Sequence, residues 1–311
     1  MAIGKYLKEI GRGKEGARSL SREQAADLLG QVLDGNVTDL EIGAFCLAMR
    51  IKGETPEEMA GFLDATHARL HKVPDNGQTT VVIPSYNGAR KLPLLTPLLA
   101  LLLAREGLPV LIHGTATESS RVFTDAVLQA LHITPHPIDA PVAPGSVAFV
   151  PTATLCPGLQ KLLEVRRVVN LRNSAHSIVK LMTPCTGSHL LVSSYTHPEY
   201  AISMAATFSL MKSNALLLRG TEGESVADAR RTPKMQAFVK GTPITLDVYQ
   251  SGALTALPEL PDGTDAATTA HYIQQVLAGD KPVPTPIAQQ VAQLLRIHSL
   301  VSCAPITPIE S

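Results

Sequence analysis

Aromatic residues are scarce in this chain of 311 residues: they make up 4% of it, and tryptophan is missing. Proteins that hold single-stranded nucleic acids by stacking bases need several aromatic side chains, so a binding mode based on stacking is disfavoured. An excess of charge of one sign is lacking as well, because Lys+Arg and Asp+Glu both total 27. The overall charge therefore indicates no class of partner, and any electrostatic function must come from local clusters.

Cysteines are few and dispersed, with no CxxC pair and no histidine at ligand spacing; they are Cys46, Cys156, Cys185 and Cys303. This pattern is typical of reduced, buried thiols and disfavours a disulfide frame or a zinc site. The most apolar run, LPLLTPLLALLLA, is shorter than the roughly 20 residues of a membrane span, and we interpret it as a buried helix. The first residues lack the apolar core of a signal peptide. We therefore expect a cytoplasmic protein without a membrane contact.

Apolar residues, by contrast, are plentiful at 45%, enough for a substantial core in one large domain or in a large and a small one. Residues 20–70 predict several short helices, because three segments have the spacing of a capping box. These are Ser21 with Gln24, Thr38 with Glu41, and Thr55 with Glu58, the last with Pro56 at the first helical position. A small helical module is the result.

From about residue 79 the pattern changes to short apolar strands that alternate with helical stretches. The predicted strands are TTVVIPS, LPVLIHG, VAFVP, HLLVSS and ALLLRG. The helical stretches are PLLTPLLALLLAREG, TDAVLQALHI, LQKLLEVRRVV and AISMAATFSLMK. This alternation predicts an α/β fold with a mostly parallel sheet covered by helices. Residues 258–288 are rich in Pro, Gly, Thr and Asp and precede a last helix, IAQQVAQLLRIHSL.

The segment LSREQAADLLGQVLDGNVTDLEIGAFCLAMRIKGETPEEMAGF resembles the N-terminal helical domain of the anthranilate phosphoribosyltransferase family, which is also seen in pyrimidine nucleoside phosphorylases. The order of the later blocks is similar too, so the resemblance covers nearly the whole chain. It implies a small helical domain over residues 1–74, a large α/β domain over residues 75–311, and a cleft between them. It also implies that helices from about residues 160–185 join the small domain in space, and that the protein is a homodimer formed through the helical domain.

The phosphate loop of this family departs from its usual form here. In the enzymes a GTGGDG loop lets backbone N–H groups approach the pyrophosphate of phosphoribosyl pyrophosphate. The corresponding stretch is PSYNGAR, in which Gly88 remains while Ser85, Tyr86 and Asn87 carry side chains. We therefore expect these side chains to close the loop to pyrophosphate and leave the rim open to a nucleic-acid backbone.

The second motif of the family, KHGNR-S-x-SS, survives by half in LIHGTATESSRV. The matching residues are His113, Gly114, Ser119 and Ser120, and the replaced ones are Ile112, Thr115 and Ala116. Hydroxyl and N–H donors suit a phosphate, and Arg121 adds charge; a purely structural role for the loop is equally open. The predicted phosphate or anion pocket consists of Asn87, Gly88, His113, Gly114, Thr115, Ser119, Ser120, Arg121, Asn173 and His176.

The magnesium motif of the family, an acidic pair in GxDGLDE, is disrupted in RGTEGESVAD. Its acidic positions fall on Ser225 and Val226, while Glu222, Glu224 and Asp228 lie at other spacings. Magnesium needs oxygen ligands, ideally carboxylates, and without it phosphoribosyl transfer loses stabilisation of the leaving pyrophosphate. We therefore expect no metal site, no cofactor and no catalytic residue. Magnesium is expected only if the chain is a transferase after all.

A basic segment, LQKLLEVRRVVNLRNSAHSIVKL, sets five bases against one acid, Glu164. Its second half differs from the RTxFNLLGP block of the enzymes and resembles a catalytically divergent branch of the family that binds nucleic acids with little sequence preference. Lys and Arg give such binding by neutralising backbone phosphates, and Tyr86 is the one aromatic residue that we nominate near the cleft. The predicted nucleic-acid-binding residues are Lys161, Arg166, Arg167, Arg172, Lys180, Arg230, Arg231, Lys234, Arg90 and Lys91. A second basic set near the N-terminus is Lys5, Lys8, Arg12, Lys14 and Arg18.

Three hypotheses follow for the function. The first is a homodimer that binds DNA or RNA with little sequence preference and lacks anthranilate phosphoribosyltransferase activity. The second is a pentosyl transferase with an altered substrate, which would use His113, Ser119, Ser120, Arg167 and Arg172 around a phosphorylated ligand. The third is a cleft that binds only a small anion, with the function residing in a protein partner. Against the first stands the alternative that the bases form ordinary solvated faces and ion pairs.

Overall fold

The computed structural model describes residues 3–13, 15–246, 249–252, 254 and 257–302. Lys14 and Cys303, both considered above, lie outside the described residues. The N-terminal part is helical, as predicted, and contains α1 (Gly4–Ile10), α2 (Arg22–Leu33), α3 (Asp39–Lys52) and α4 (Pro56–His67). None of the described helices combines the length and the apolar content that a membrane-spanning segment needs.

All three predicted capping boxes are present, at the starts of α2, α3 and α4. In each, the N-cap hydroxyl accepts a hydrogen bond from the third helical residue, whose side chain accepts one from the N-cap N–H group. The box of α4 does more than this. Its Glu58 carboxylate is fully buried, and it also accepts from the N–H of Leu20 and from the ammonium of Lys52. These bonds tie the start of α4 to the end of α3 and to the segment before α2.

A seven-stranded sheet forms the centre of the remaining chain. Its strands are β1 (Thr80–Ser85), β2 (Val110–Gly114), β3 (Val147–Pro151), β4 (His189–Tyr195), β5 (Ala215–Arg219), β6 (Met235–Val239) and β7 (Thr242–Leu246). They lie in the order β3–β2–β1–β4–β5–β6–β7. The first five strands were all predicted and pair in parallel. The hairpin of β6 and β7 pairs antiparallel beyond β5, and the sequence reading missed it.

The described residues form eight further helices, several of which cover the two faces of this sheet. They are α5 (Thr96–Arg105), α6 (Thr124–Ala130), α7 (Thr152–Leu155), α8 (Pro157–Val169), α9 (Ala175–Leu181), α10 (Pro198–Leu210), α11 (Ala266–Ala278) and α12 (Thr285–Ser302). Successive residues of a strand point to opposite faces, so Val82 joins one buried cluster and Val81 the other. The first cluster lies between the sheet and the N-terminal helices, and the second lies under α5, α11 and α12.

Helices α8 and α9 follow β3 in the chain but pack with the N-terminal helices. Leu159 of α8 and Ile178 of α9 are buried in the same cluster as Phe45 and Phe62. At the start of α8, a Cβ atom on Gly158 would lie 2.1 Å from the carbonyl oxygen of Leu33, so the end of α2 is in direct contact there. This packing brings the basic segment 161–180 to the junction between the N-terminal helices and the sheet.

Candidate anion and nucleic-acid interface

Four loops meet at the C-terminal edge of the parallel strands: residues 86–95 after β1, 115–123 after β2, 196–197 after β4, and 220–226 after β5. Ligands of open α/β sheets bind at this edge, because loops from several strands converge there. Most of the predicted site residues lie on these loops or on α8 and α9, which border them. An anion site is therefore expected at this edge.

The loop after β1 still forms a nest of hydrogen-bond donors, but a side chain of the protein occupies it. One carboxylate oxygen of Glu224, Oε1, accepts hydrogen bonds from the backbone N–H groups of Asn87 and Gly88, each at 2.7 Å. The other oxygen, Oε2, accepts from the hydroxyl of Ser85 and from that of Thr96, the latter at 3.2 Å. Four donors thus converge on a single buried carboxylate.

A second carboxylate occupies the rim of the same loop. Oxygen Oε2 of Glu222 accepts from the consecutive N–H groups of Arg90, Lys91 and Leu92, at 3.0, 3.0 and 3.2 Å. Partial burial acts to raise the pKa of Glu222, but the three donors outweigh it, and the pKa lies below its usual value. The Arg90 and Lys91 side chains are exposed, while their N–H groups are engaged with Glu222.

The side chain of Tyr86 is not the group that closes the loop. It is buried, and its hydroxyl lies 2.8 Å from both Nδ1 of His113 and the hydroxyl of Thr152. Burial raises the pKa of Tyr86 and lowers that of His113 to about 3, so both groups are neutral. The nomination of Tyr86 as an aromatic surface near the cleft is therefore wrong, because its side chain lies in the interior. The carboxylate of Glu224 is the group that accepts the hydrogen bonds of this loop.

The ten residues of the predicted anion pocket are not brought together around one open space. Asn87, Gly88 and His113 are buried, and the Asn173 amide donates to the carbonyl of Leu162. Gly114 is packed so closely that a Cβ atom there would lie 2.1 Å from the Ser85 carbonyl oxygen. The remaining members are exposed or partly exposed: Thr115, Ser119, Ser120, Arg121 and His176. The central members of the predicted pocket therefore face the protein interior, and its other members lie at or near the surface.

A cluster of cations lies beside this edge, where α8 meets the loop after β2. Glu118 forms ion pairs with Arg166 at 2.8 Å and with Arg121 at 3.4 Å. Arg172 is partly buried nearby, and its pKa is lowered by burial and by the charges of Arg166 and Arg121. Exposed Arg167 approaches the carbonyl of Ala116 at 3.5 Å. Four guanidinium groups thus surround a loop that offers them one carboxylate.

Lys180 and His176 extend the cluster into a cavity of about 420 Å³ between α3–α4 and α9–α10. The Lys180 ammonium donates to the carbonyl oxygens of Ser194 and Gly223, at 3.3 and 3.0 Å. Burial, with a further contribution from Arg172, lowers its pKa to about 8 although Glu224 opposes the shift. Burial and the neighbouring cations lower the pKa of His176 to about 3, so its imidazole is neutral.

The other predicted bases lie in varied surroundings. Lys161 and Lys234 are exposed, and Arg231 donates to the carbonyl of Gly252. Arg230 donates two side-chain hydrogen bonds to Asp228, so its charge is compensated locally. In the N-terminal set, Arg12 and Arg18 pair with Glu9, and Lys5 pairs with Asp27. Arg230 and these paired residues therefore contribute less net charge than the sequence count indicates.

Three comparisons with known proteins bear on this arrangement. Residues 5–69 match the family described as Glycosyl transferase family, helical bundle domain. The Uncharacterized protein YbiB of Escherichia coli (strain K12) is 41% identical over 299 residues, which are 94% of this chain and 93% of the relative. An Anthranilate phosphoribosyltransferase of Salinispora arenicola is 27% identical over 271 residues, 84% of this chain and 76% of the relative. The chain belongs to the anthranilate phosphoribosyltransferase-like family.

Solved structures of this family share the fold. The anthranilate phosphoribosyltransferase of Thermus thermophilus aligns with a TM-score of 0.71 at 20% identity, over 97% of this chain and 89% of that one. The enzyme of Saccharomyces cerevisiae in complex with PRPP and Mg aligns with a TM-score of 0.68 at 14% identity, over 96% of this chain and 88% of that one. At these identities the similarity shows a shared fold only, and the chemistry of the site depends on the residues of this chain.

Those residues do not fit the magnesium ion that the fold family implies. At the two acidic positions of the family motif, the Ser225 hydroxyl donates to the Pro84 carbonyl and Val226 is buried. Both oxygens of the buried Glu224 carboxylate and one oxygen of Glu222 accept hydrogen bonds from the loop after β1 and its flanks, which leaves one Glu222 oxygen and no carboxylate pair for a cation. Over the described ranges, no three His, Cys, Asp or Glu side chains are grouped so as to hold a metal ion.

Proposed function

We propose that the protein binds DNA or RNA with little sequence preference and has no anthranilate phosphoribosyltransferase activity. The supporting observation is the cation cluster formed by α8, the segment after it and the loop after β2, where Arg121 and Arg166 share the carboxylate of Glu118 and partly buried Arg172 lies nearby. Exposed Lys161 and Arg167 lie on the same helix. A phosphate backbone supplies the negative charge that this cluster lacks, and it does so without reading bases.

Unsatisfied donors in the cluster point the same way. Nη1 of Arg166 is buried and has no hydrogen-bond partner among the described residues. Nε of Arg121 is also buried and lies 3.4 Å from the Glu118 carboxylate, in a geometry that makes no hydrogen bond. Buried polar groups of this kind are normally paired with protein, water or a ligand. Guanidinium groups suit phosphate oxygens, because their planar donors can bind two oxygens at once. A phosphodiester at this position would pair these donors and reduce the repulsion among the three arginines.

Fluorescence anisotropy with labelled oligonucleotides tests the proposal. Unrelated single- and double-stranded sequences are expected to bind with similar affinity at about 50 mM salt, and the affinity should fall steeply with added salt. Replacing exposed Lys161 and Arg167 with alanine should weaken binding to every sequence and reduce the salt slope by about 2, roughly one per lost phosphate contact. Arg12→Ala, whose native side chain pairs with Glu9, is the matched control and should leave binding unchanged. Absence of binding at about 50 mM salt would contradict the proposal.

The assembly belongs to the same proposal: we infer a homodimer formed through the N-terminal helices. On α3, the side chains of Leu40, Leu47 and Ile51 are exposed by 83%, 47% and 55%. Their spacing of seven and four residues puts them on one face of the helix. Such a contiguous apolar stripe is typical of an interaction surface, and a second copy of the same face would bury it symmetrically. Two copies would double the number of cationic clusters available to one nucleic acid.

One observation favours a second candidate, a transferase with an altered substrate or a site for a small anion alone. The cavity of about 420 Å³ has the size of a small-ligand site and is lined by Arg172, His176 and Lys180. The Saccharomyces cerevisiae enzyme is described in complex with PRPP and Mg, so the same pair is the probe to use. Calorimetry should detect heat on adding phosphoribosyl pyrophosphate with magnesium if this candidate is correct. With nucleic-acid binding alone, no heat and no thermal shift are expected.

A further inference from the structure

The contacts of Glu222 and Glu224 are those of bound anions rather than of surface acids. Glu224 is buried and accepts from two backbone N–H groups and two hydroxyls. Glu222 accepts from three consecutive N–H groups. Convergent N–H groups of this kind form a concave site for an anion. Seven donors of the loop after β1 and of its flanks therefore face two carboxylates that come from a distant part of the chain.

We propose that Glu222 and Glu224 are internal anions that plug two anion-binding nests, and that removing Glu224 opens a buried site for a small free oxyanion. This inference does not depend on nucleic-acid binding, because it concerns donors that the cation cluster does not include. It explains why the loop after β1 is closed to a free phosphorylated ligand. Such a ligand would have to displace a carboxylate that already satisfies every donor in the nest.

The nest does not depend on Glu224 for its shape. Ser85 ends β1, which pairs with β2 up to the partners Ser85 and Gly114. Gly88 has a φ of 65° and lies so close to the loop after β2 that a Cβ atom there would be 2.7 Å from the Val122 carbonyl oxygen. Thr96 is the first residue of α5. Because strand pairing, a close backbone approach and a helix hold these positions, the donors remain in place when the carboxylate is removed.

A tight turn positions the carboxylates of Glu222 and Glu224 against the loop after β1. Residues Thr221 and Glu224 form an isolated antiparallel bridge, and Glu222 and Gly223 between them have φ values of 51° and 92°. The Gly223 carbonyl accepts from the Lys180 ammonium and from the Ser194 hydroxyl, which fixes the turn from the opposite side.

Restoring the stability of Glu224→Ala with small anions tests whether the Glu224 carboxylate occupies an anion-binding site. The substitution leaves four donors and a vacated volume, so formate and acetate should restore stability to this variant. Its Tm should rise by roughly 5 °C when formate exceeds its Kd a hundredfold, and benzoate, which is too large, should have no effect. Glu224→Gln retains the side-chain volume and is the matched control. Like the wild-type protein, it should show only a general salt response.

A second pair of variants covers the case in which Glu224→Ala folds poorly. Recovery of folded Glu224→Ala only when formate is present during refolding would itself support the plug. Glu222 is partly exposed, so Glu222→Ala should fold and should bind inorganic phosphate at the backbone N–H groups of Arg90, Lys91 and Leu92. Phosphate should shift the amide resonances of these three residues in Glu222→Ala and not in the wild-type protein or Glu222→Gln. Equal anion responses in the alanine, glutamine and wild-type proteins would overturn the proposal. So would shifts of the Asn87 and Gly88 amide resonances when phosphate is added to the wild-type protein.

Discussion

The hydroxyl group of Tyr86 lies between His113 and Thr152, at 2.8 Å from each, in the interior of the protein. Its ring also meets the His113 ring edge-on, with 5.5 Å between the centroids. From the sequence, a tyrosine in the phosphate loop was expected near the cleft. In the structure the side chain turns inward, because burying its ring and pairing its hydroxyl with two polar groups are both favourable.

Tyr86→Phe should therefore lower stability without affecting ligand binding. Removing the hydroxyl leaves buried polar atoms of His113 and Thr152 without their partner, which costs about 1–3 kcal/mol. Urea denaturation should show this loss, while anisotropy with oligonucleotides should remain as in the wild-type protein. Tyr200→Phe is the matched control, because Tyr200 is exposed, and it should change stability by less than about 0.5 kcal/mol. Weaker nucleic-acid binding by Tyr86→Phe would contradict the buried structural role.

Glu222 and Glu224 illustrate what residue spacing cannot tell. From the sequence they are considered only as metal ligands in the wrong register, and their partners lie 128 to 139 positions earlier, between Ser85 and Thr96. No local sequence pattern predicts a contact between residues so far apart in the chain. The sequence contains one indication of these contacts. A loop whose backbone N–H groups have lost their usual ligand needs another hydrogen-bond acceptor, and the acids that follow β5 can supply it.

At the scale of the element, α8 unites a buried face with a cationic one. Leu159, Leu162 and Leu163 are buried against the N-terminal helices, while Lys161 and Arg167 are exposed. The helix begins with Pro157 and ends at Asn170, whose φ of 57° stops it. Because its first turn contacts the end of α2 closely, the position of the basic face depends on a glycine, Gly158.

Gly158→Ala should displace the start of α8. The new Cβ atom would meet the Leu33 carbonyl oxygen at 2.1 Å, and a backbone atom in a packed helix cannot move aside easily. We expect a loss of about 1–3 kcal/mol in the free energy of unfolding, together with weaker oligonucleotide binding as the basic face shifts. Urea denaturation and anisotropy measure the two effects. An unchanged denaturation midpoint would show that the contact between α2 and α8 relaxes without cost.

Helix α11 and the β6–β7 hairpin were not predicted from the sequence, although each contains local features that indicate it. Helix α11 has a clear signal, since the Asp265 side chain caps its start and Gly279, at a φ of 88°, ends it. The abundance of Pro, Gly, Thr and Asp around it concealed this pattern. The β6–β7 hairpin turns at Lys240 and Gly241, both with positive φ, and such a pair is a weaker hairpin signal than Asn-Gly. Composition was the wrong guide in the first case, and turn chemistry was ambiguous in the second.

For the whole molecule, the distribution of charge matters more than its sum. The chain is neutral overall. Ion pairs compensate several of the predicted cations, as Asp228 compensates Arg230. Of the predicted bases, Arg167, Arg172 and Lys180 lie where α8 and α9 meet the C-terminal edge of the sheet, and none of the three forms an ion pair with a described residue. The exposed apolar stripe of α3 adds a surface through which two such clusters could be joined.

Disrupting this stripe should separate the copies. Leu40→Asp with Leu47→Asp places charges on the apolar face of α3, so light scattering should report a monomer for this variant and, if the proposed assembly is correct, a dimer for the wild-type protein. Oligonucleotide affinity should fall by about 100-fold or more if both copies contact one strand. Leu257→Asp, a substitution at an equally exposed leucine that is 69% accessible, is the control and should leave the mass unchanged. A wild-type protein that is already monomeric would contradict the proposed assembly.

The sequence by itself determined the elements and their class. Capping boxes placed three helices, and alternation with apolar runs identified five parallel strands, because these features depend on neighbours within a few residues. Only the tertiary structure decided the state of the site. Whether a donor nest is open, and whether a cation is compensated, depends on residues that are distant in the chain and adjacent in space, as Glu224 is to Gly88 and Glu118 is to Arg166.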